Sequence, residues 1–451
     1  MKIIIVGCGK VGSSLAEQLS SEGHDLTLVD TNPDILNETT NTLDVMTVVG
    51  HGASYNVLIE AGIETADLLI AVTASDELNL LCCLTAKKAG NSKTIARVRN
   101  PIYNKELSFF KEELGLAMII NPELATATEI ARILRFPSAI KIDTFAKGRV
   151  EILEFEITRN SNLNNLRLSD LRARFKCDVL ICCIQRGDDV IIPVGTTMLY
   201  EHDIVSMVAP PKVAAEFFKK AGILAEPVKN TIIVGGGKIS YYLAHQLLHM
   251  GIHVKIIEQN KKRCEELSEL LPEAMIIWGD GTDQNTLLSE GLESCESFVS
   301  LTNLDEENIM LSLYVKNQSN AKVITKIKRQ NFDVIINKLE LGSIVYPKFI
   351  TSDRILQYVR AMQNSVGSNV ETLYKIVGNK VEALEFRVTD SSPVIDIPLQ
   401  DLNIRKNILI SCINRNGKII IPKGSDVILP GDTVIVTTTL TGLTDLGKIL
   451  K

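Results

Sequence analysis

The feature that most constrains this chain is an internal duplication. Segment 3–10, IIIVGCGK, returns as segment 231–238, TIIVGGGK. Further matches keep the same offset of 228 or 229 residues, among them Asp30 with Glu258 and Asp76 with Asp305. A chain that repeats itself at this length folds as two similar halves.

Each half contains two units, because a second stretch also repeats. Segment 150–155, VEILEF, matches segment 381–386, VEALEF. A chain of 451 residues is long enough for several domains. We therefore predict four domains and two connecting helices: a nucleotide-binding domain 1–121, a crossover helix 122–140, a small domain 141–225, a second nucleotide-binding domain 228–346, a second crossover helix 347–366 and a second small domain 367–451.

The predicted fold class is α/β. Short apolar strands alternate with helices in the first unit, which indicates a parallel sheet covered on both faces. We expect two Rossmann-like, doubly wound domains, each followed by a small α+β domain with hairpins. The predicted strands are 2–6, 25–29, 45–49, 68–72, 94–98 and 117–120 in the first unit, and 150–157, 179–185 and 190–193 in the second.

The two connecting segments have two interpretations. Both begin with a proline, Pro122 and Pro347, which suits the first position of a helix. Each is either the last helix of its Rossmann domain or a crossover helix that packs two halves, or two chains, together.

A glycine-rich loop follows the first strand. Its pattern is G-x-G-x-x-G, and it lies between a strand and a helix with Asp30 at the end of the next strand. The glycines allow a tight turn, the approach of a pyrophosphate and close helix packing. Asp30 can accept hydrogen bonds from ribose hydroxyls and would repel a 2′-phosphate, which favours NAD(H) or an adenosine nucleotide over NADP(H). The predicted loop residues are Gly7, Cys8, Gly9, Lys10, Val11 and Gly12, followed by Asp30 and Thr31.

The second half carries an altered copy of this site. Ser240 replaces the third glycine and should crowd the packing of helix on strand slightly. We expect a competent but modified site, with an empty site as the alternative. Its predicted residues are Gly235, Gly236, Gly237, Lys238, Ile239, Glu258, Asp280 and Thr302.

Other loops at the carboxyl ends of strands complete the first site, because ligands bind at that edge of such sheets. His51 either touches a base or ribose or caps its own loop. Of Arg97 and Arg99, one should reach the ligand and the other should pair with a nearby acid. Lysines 326 and 328 replace them in the second half, so the two sites should differ in ligand preference. The remaining predicted residues are Gly52, Thr73, Ala74 and Ser75.

Composition excludes several classes of protein. The net charge of −6 gives no broad attraction for nucleic acid. No stretch approaches the length of a membrane span, and the apolar run at residues 3–6 is too short for a signal peptide. The nine cysteines include no C-x-x-C pair and should be buried, reduced residues. His245 and His249 are expected on a helix face, and no metal site is predicted.

These motifs resemble the regulatory proteins of bacterial Trk potassium uptake, which carry two tandem RCK units (regulators of potassium conductance). The resemblance covers nearly the whole chain. It rests on residues 1–12 with Asp30, 49–52, 61–79, 95–99 and their partners in the second half.

The resemblance implies a regulator that binds NAD(H), with ATP or ADP as alternative ligands. It also implies a homo-oligomer, as a dimer or a ring, that is cytoplasmic and peripheral at the inner face of the cell membrane. Its partner would be a membrane potassium-translocating subunit of the Trk or Ktr type.

Two other functions remain open at this point. An NAD-dependent oxidoreductase would need a catalytic acid or base and a sizeable substrate domain. We find no nucleophile elbow, no Cys/His pair with local support and no plausible acid for hydride transfer, and we predict no catalytic residue and no enzyme activity. A regulator of an antiporter with similar architecture is the second alternative.

Overall fold

The computed structural model divides the chain into two compact units. One comprises Met1–Ala131 and Lys229–Leu356, and the other Arg132–Val228 and Gln357–Lys451. The structure describes all residues except 105, 137–138, 146–148, 224–227, 329–335, 337–338, 340, 366–369, 378–379, 441–442 and 444.

The first domain is a parallel sheet with helices between its strands. The strands are β1 (Lys2–Val6), β2 (Asp25–Asp30), β3 (Met46–Val49), β4 (Leu68–Ala71), β5 (Lys93–Arg97) and β6 (Met118–Ile120). The helices are α1 (Lys10–Ser21), α2 (Pro33–Thr40), α3 (Tyr55–Glu60), α4 (Asp76–Ala89), α5 (Pro101–Asn104), α6 (Leu107–Glu113) and α7 (Pro122–Arg135).

The strand order β3-β2-β1-β4-β5-β6 places β1 and β4 at the centre of this sheet. Every strand pair is parallel, and β4 is buried along its whole length. The order reverses direction between β1 and β4, and ligands of doubly wound sheets bind at such a reversal. The predicted strands agree with these bounds to within one residue.

A small antiparallel domain follows. Its elements are β7 (Lys141–Phe145), β8 (Val150–Glu156), α8 (Leu168–Phe175), β9 (Leu180–Arg186), β10 (Asp189–Ile191), β11 (Ile204–Ala209) and α9 (Pro211–Ala221). The sheet order is β10-β9-β11-β8-β7, and all pairs are antiparallel. The predicted hairpin is present, with Gly187 at a φ of 59° in the turn between β9 and β10.

The second half repeats both domains. Its parallel sheet has the order β14-β13-β12-β15-β16-β17, and its antiparallel sheet has the order β18-β19-β22-β20-β21. The parallel sheet comprises β12 (Asn230–Val234), β13 (His253–Glu258), β14 (Met275–Trp278), β15 (Ser297–Ser300), β16 (Lys322–Lys326) and β17 (Ser343–Val345). Its helices are α10 (Lys238–His249), α11 (Lys261–Leu270), α12 (Gln284–Ser289) and α13 (Asp305–Gln318), followed by α14 (Pro347–Ser365). The last domain contains β18 (Val370–Ile376), β19 (Val381–Arg387), β20 (Ile408–Arg415), β21 (Lys418–Ile420) and β22 (Thr433–Thr438). The predicted fold class is confirmed.

The two Rossmann-like domains contact each other within the first unit. Tyr242 on α10 is buried, and its Oη accepts a hydrogen bond from Asn121 Nδ2 at 3.0 Å. The same hydroxyl donates to the carbonyl oxygen of Arg99 at 3.4 Å. Gln246 Nε2 donates to Thr128 Oγ1 at 3.2 Å. The helix after the second glycine loop therefore packs on the first half.

The two antiparallel sheets share a hydrophobic core in the second unit. Residues of β8 and β9 and residues of β19, β20 and β22 belong to one buried cluster. Cys182 and Cys183 from the first half and Cys412 from the second half lie within it. All nine cysteines are free and buried, as the sequence predicts.

The connecting helices α7 and α14 begin at the predicted prolines. The boundary between the two units falls inside each of them, after Ala131 and after Leu356. The predicted domain ranges stay a prediction, and their limits at residues 225, 366 and 367 lie outside the described residues. Within the described part of the chain, no helix combines the length and apolar character needed to cross a bilayer.

Candidate functional site: two glycine loops at the sheet reversal

The loop between β1 and α1 uses its three glycines differently. Gly7 has a φ of +96°, a conformation that favours glycine. A Cβ on Gly12 would lie 2.0 Å from the carbonyl oxygen of Gly7, so close packing requires glycine there. A Cβ on Gly9 would meet no atom within 4 Å, and the φ of Gly9 is an ordinary −68°. Among the described residues, no contact requires glycine at this position, and the open space beside Gly9 is what the approach of a pyrophosphate would need.

The start of α1 is open to an anion. Gly9 is the N-cap residue and supplies no side chain to the first N–H groups of the helix. By contrast, α4 begins with Ser75 Oγ accepting a hydrogen bond from Leu78 N at 3.1 Å. Uncapped N–H groups and the positive end of the helix dipole favour phosphate binding.

Asp30 holds two loops beside this helix. Its Oδ2 accepts a hydrogen bond from Cys8 N at 2.7 Å, and its Oδ1 accepts one from Asn32 N at 2.9 Å. A carboxylate has about four lone-pair sites, so Asp30 retains acceptor capacity for ribose hydroxyls. Burial and the charge of Asp30 raise the pKa of the Cys8 thiol to about 12, so this cysteine stays protonated near neutral pH.

Asn79 fixes the loop after β4. Its Oδ1 accepts a hydrogen bond from Thr73 N at 2.8 Å, and its Nδ2 donates to the carbonyl oxygens of Thr73 at 3.2 Å and Arg97 at 2.9 Å. One amide group thus joins the ends of β4 and β5. The sequence shows this residue only as part of the repeat, in which it matches Asn308, and gives no role for it.

The two arginines have different surroundings. Arg97 lines the cavity at the first glycine loop, and its guanidinium donates to the carbonyl oxygen of Thr73. Arg99 lies within 3.8 Å of Asp76 and 3.9 Å of Glu123. Arg97 therefore lines the cavity and Arg99 lies beside two acids, and the contact of either arginine with a ligand stays a prediction.

These elements enclose a cavity of about 520 Å³, here called the nucleotide cavity. Three predicted residues, Cys8, Gly12 and Arg99, lie outside its lining. His51 lines it, and both interpretations of this histidine stay open. The predicted residues that line the cavity are Gly7, Gly9, Lys10, Val11, Asp30, Thr31, His51, Gly52, Thr73, Ala74, Ser75 and Arg97.

Sequence reasoning missed the apolar wall of the cavity. These residues are Val6, Val29, Ile35, Val72 and Leu78, together with Gly50. Most of them lie at the ends of strands or in the first turn of a helix. Apolar residues at those positions of the sequence could have been predicted to line the site. An apolar wall opposite polar groups suits an adenine nucleotide.

The second glycine loop keeps the same backbone. Gly235 has a φ of +99°, and a Cβ on Gly237 would meet no atom within 4 Å. Ser240 is fully buried and its Oγ donates to the carbonyl oxygen of Gly235. The crowding expected at Ser240 is thus absorbed by a hydrogen bond.

In the second site, the carboxylate of Glu258 accepts backbone hydrogen bonds equivalent to those of Asp30 in the first site. Glu258 Oε2 accepts a hydrogen bond from Gly236 N at 2.6 Å, and its Oε1 accepts one from Asn260 N at 2.7 Å. Arg263 occupies the position of Ile35, and its Nε donates to the carbonyl oxygen of Gly236 at 2.8 Å. The second half therefore has a cation where the first half has an apolar residue.

The strand-end loops of the second site carry further differences. Asp280 Oδ1 accepts hydrogen bonds from Thr282 N at 2.9 Å and Thr282 Oγ1 at 2.7 Å, so it turns back on its own loop. Lys326 is only 4% exposed, and its Nζ donates to the carbonyl oxygen of Leu301 at 3.0 Å. Burial lowers the pKa of Lys326 to about 8. Thr302 is clamped by Asn308, as Thr73 is by Asn79.

The chemistry of both sites is that of binding. Backbone N–H groups, a carboxylate and cations surround each glycine loop, and they suit the ribose and phosphates of a nucleotide. The stacked rings of His245 and His249 lie 4.4 Å apart on α10. Among the described residues, no group of three or more metal-ligand side chains could hold a metal ion.

Comparison with known proteins identifies all four domains. The model of the TrkA-N domain matches residues 3–122 and 231–347, and that of the TrkA-C domain matches residues 152–222 and 383–451.

Several curated relatives match nearly end to end. Trk system potassium uptake protein TrkA homolog 2 of Methanosarcina mazei is 31% identical over 459 residues and both chains are covered completely. Trk system potassium uptake protein TrkA of Halomonas elongata is 33% identical, with 97% of this chain and 95% of the relative covered. That of Haemophilus influenzae is 32% identical, with 97% and 95% covered.

Solved structures share the fold. The GsuK channel bound to NAD has a TM-score of 0.64 at 17% identity, with 97% of this chain and 76% of that chain covered. The GsuK RCK domain has the same TM-score and identity, with 97% and 92% covered. With tandem TrkA-N and TrkA-C domains and relatives that match along their whole length, the chain belongs to the TrkA family of Trk system potassium uptake proteins.

Proposed function

We propose that this protein is a cytoplasmic, nucleotide-sensing regulatory subunit of a Trk-type potassium uptake system. It binds NAD(H), or alternatively ATP or ADP, at the two glycine loops. It lies at the inner face of the cell membrane, bound to a potassium-translocating subunit of the Trk or Ktr type. The family of the chain supports this role, and a structural neighbour is a channel bound to NAD.

The observation that carries the proposal is the pair Gly9 and Gly237. Neither position needs glycine for packing or for its φ angle. Each glycine is the N-cap residue of a helix and supplies no capping side chain, and each lies near the acid predicted to bind ribose. A ligand whose phosphates approach the backbone accounts for glycine at both positions.

The mechanism requires no covalent step. A nucleotide that binds one conformation of the assembly more tightly shifts the population toward that conformation. The coupling to ion flux is limited by the difference between the two affinities, about 5- to 150-fold for a typical allosteric ligand. The bound nucleotide should therefore be recovered unchanged.

Calorimetric titration with NADH, NAD⁺, ATP and ADP tests binding directly. We expect two sites in the full chain, of which Gly9→Ala removes the first and Gly237→Ala removes the second, while both variants fold normally. Asp30→Ala and Glu258→Ala should give the same losses. Absence of binding to all four nucleotides would contradict the proposal, and steady oxidation of NADH with a substrate would support an oxidoreductase instead.

Exposed apolar side chains support assembly into a homo-oligomer, as a dimer or a ring. Leu81 and Leu84 on α4 are 49% and 37% exposed, and Leu304 and Met310 at α13 are 54% and 67% exposed. Leu81 and Leu84 are three residues apart on α4 and so lie on one face of that helix. Adjoining exposed apolar side chains can mark sites of association. Light scattering of the full chain should give a mass of at least a dimer, and Leu81→Glu with Met310→Glu should reduce it.

The membrane partner can be identified by co-purification. A tagged chain expressed from its native locus should carry a potassium-translocating subunit with it from membranes. Potassium uptake should then change when the nucleotide sites are disabled by Gly9→Ala and Gly237→Ala. Co-purification of an antiporter instead would support the alternative regulator.

A further inference from the structure

Trp278 is the only tryptophan of the chain, and it is 65% exposed. It is the last residue of β14, which is an edge strand of the second parallel sheet. The register of the sheet pairs it with Glu258, the acid of the second glycine loop. Adjacent strands lie about 4.8 Å apart, so the tryptophan lies directly beside the residue predicted to bind ribose.

Two contacts fix the indole beside the loop between β13 and α11. Its Nε1 donates a hydrogen bond to the carbonyl oxygen of Gln259 at 3.1 Å. The ammonium group of Lys261 lies 5.4 Å from the centre of the ring. Gln259 corresponds to Thr31, which lines the nucleotide cavity of the first half. The indole is therefore held at the rim of the second glycine site by a hydrogen bond and a cation–π contact.

The first half has no counterpart of this aromatic group. Val49 occupies the position equivalent to Trp278 and lies outside the lining of the nucleotide cavity. The longer indole reaches from that position to the loop at Gln259, which the valine side chain is too short to do. An aromatic face beside the ribose acid is thus a property of the second site alone.

The apolar wall of the first cavity is interrupted in the second half. Ile35 and Leu78 belong to that wall. Their counterparts are Arg263 and Glu307, which are both charged. A base bound in the second site therefore loses two apolar neighbours. The flat face of the exposed indole offers a replacement, because aromatic side chains stack on nucleobases.

We propose that Trp278 stacks on the base of the nucleotide in the second site and supplies the affinity that the interrupted apolar wall lacks. This inference rests on the proposed nucleotide-sensing function and adds a residue that lies outside the glycine motif. Glu258 binds the ribose, and the base attached to that ribose lies next to the tryptophan. Every nucleobase has a flat π face, so the contact favours ligands that carry a base over sugar phosphates that do not. The two sites hold their bases by different means.

The fluorescence of Trp278 tests this contact in the full chain, because no other tryptophan contributes to the emission. ADP and NAD⁺, which both carry adenine, should quench the emission in a saturable way, since a stacked base touches the indole. The quenching should persist in Gly9→Ala and disappear in Gly237→Ala, the variants that separate the two sites. Met275→Ala changes another exposed residue of the same strand and is the control, in which the quenching should be unchanged.

Calorimetry measures how much the contact contributes to binding. Trp278→Val, which copies the first half, should weaken ADP binding at the second site by about tenfold, the effect of one stack between a base and an aromatic ring. Trp278→Phe should retain most of the affinity, because it keeps an aromatic face. The affinity of the first site should be the same in both variants as in the unmodified protein.

Unchanged ADP affinity at the second site in Trp278→Val would overturn the inference, as would ADP binding there without a change in emission. Equal weakening at both sites would also overturn it, since that pattern indicates a structural role. Emission that shifts with protein concentration and does not respond to ADP would mean that a second copy of the chain covers the indole instead. Absence of all nucleotide binding in the unmodified protein would overturn the proposed function itself.

Discussion

The glycines of the first loop have different roles, and substitutions can distinguish these roles. Gly12 is required by the folded chain, because an added Cβ would approach the carbonyl oxygen of Gly7 to 2.0 Å. Gly9 has open space around it. We expect Gly12→Ala to lower the free energy of unfolding by about 1–3 kcal/mol through overpacking. Gly9→Ala should unfold at the same urea concentration as the unmodified protein. Equal stability of Gly9→Ala and Gly12→Ala would refute the conclusion that the fold requires glycine only at the second of these positions.

The burial of the Lys326 ammonium group lowers the free energy of unfolding. Its pKa falls to about 8 from its usual 10.5, so between these pH values the unfolded chain holds a proton that the folded chain has released. Folding stability should therefore rise with pH across that window, and the full penalty of about 3 kcal/mol applies below pH 8.

Replacement of this ammonium by an apolar side chain should remove the penalty. Lys326→Met should raise the free energy of unfolding at pH 7 by about 1–3 kcal/mol, net of the hydrogen bond lost to Leu301. The free energy of unfolding, measured in urea titrations, should also depend less on pH between pH 8 and 10.5. The exposed Lys262, changed to methionine, is the control and should leave that slope in place.

At the scale of elements, each parallel sheet depends on an asparagine that joins two strand ends. Asn79 links the loop after β4 to β5 through three hydrogen bonds to the backbone and a fourth from Thr73 Oγ1. Asn308 makes the same three backbone hydrogen bonds to Thr302 and Lys326. Without this amide, Thr73 would lose the partner of its backbone N–H at the nucleotide cavity.

Asn79→Ala should therefore destabilise the first domain and loosen its ligand loop. We expect a loss of about 2–3 kcal/mol in the free energy of unfolding, together with weaker nucleotide binding at the first site. Urea unfolding and calorimetry measure the two effects. The exposed Asn91 provides the control, and a stability loss as large in Asn91→Ala would argue against the clamp.

At the scale of the whole molecule, the duplication has produced an internal pair of Rossmann-like domains. The buried Tyr242 hydroxyl joins them, because it contacts Asn121 and the carbonyl oxygen of Arg99 in the other half. Tyr242→Phe should lower the free energy of unfolding by about 1–2 kcal/mol, since it leaves the Asn121 amide without this acceptor. The neighbouring Tyr241→Phe should be neutral, and a neutral Tyr242→Phe would mean that the hydroxyl does not hold the halves together.

Much of the molecule follows from local sequence patterns. The strands of the first parallel sheet and the glycine loop between strand and helix in each half were predictable, because the periodicity of apolar residues and turn chemistry depend on near neighbours in the chain. The strands Lys141–Phe145 and Ile204–Ala209 of the small domain were not predicted. Alternation along β5 placed Arg97 and Arg99 on one face, and the division of their roles toward a ligand stays a prediction.

The remaining features arise only when distant segments meet. The sequence by itself determined a duplicated α/β chain with two glycine-rich loops, since each loop is encoded within a short segment. Only the tertiary structure decided that Asn79 would clamp two strands, that Lys326 would be buried, and that Lys328 and Lys348 would line one cavity with Gly9. These contacts join residues far apart in the chain, and their partners are selected by packing rather than by sequence spacing.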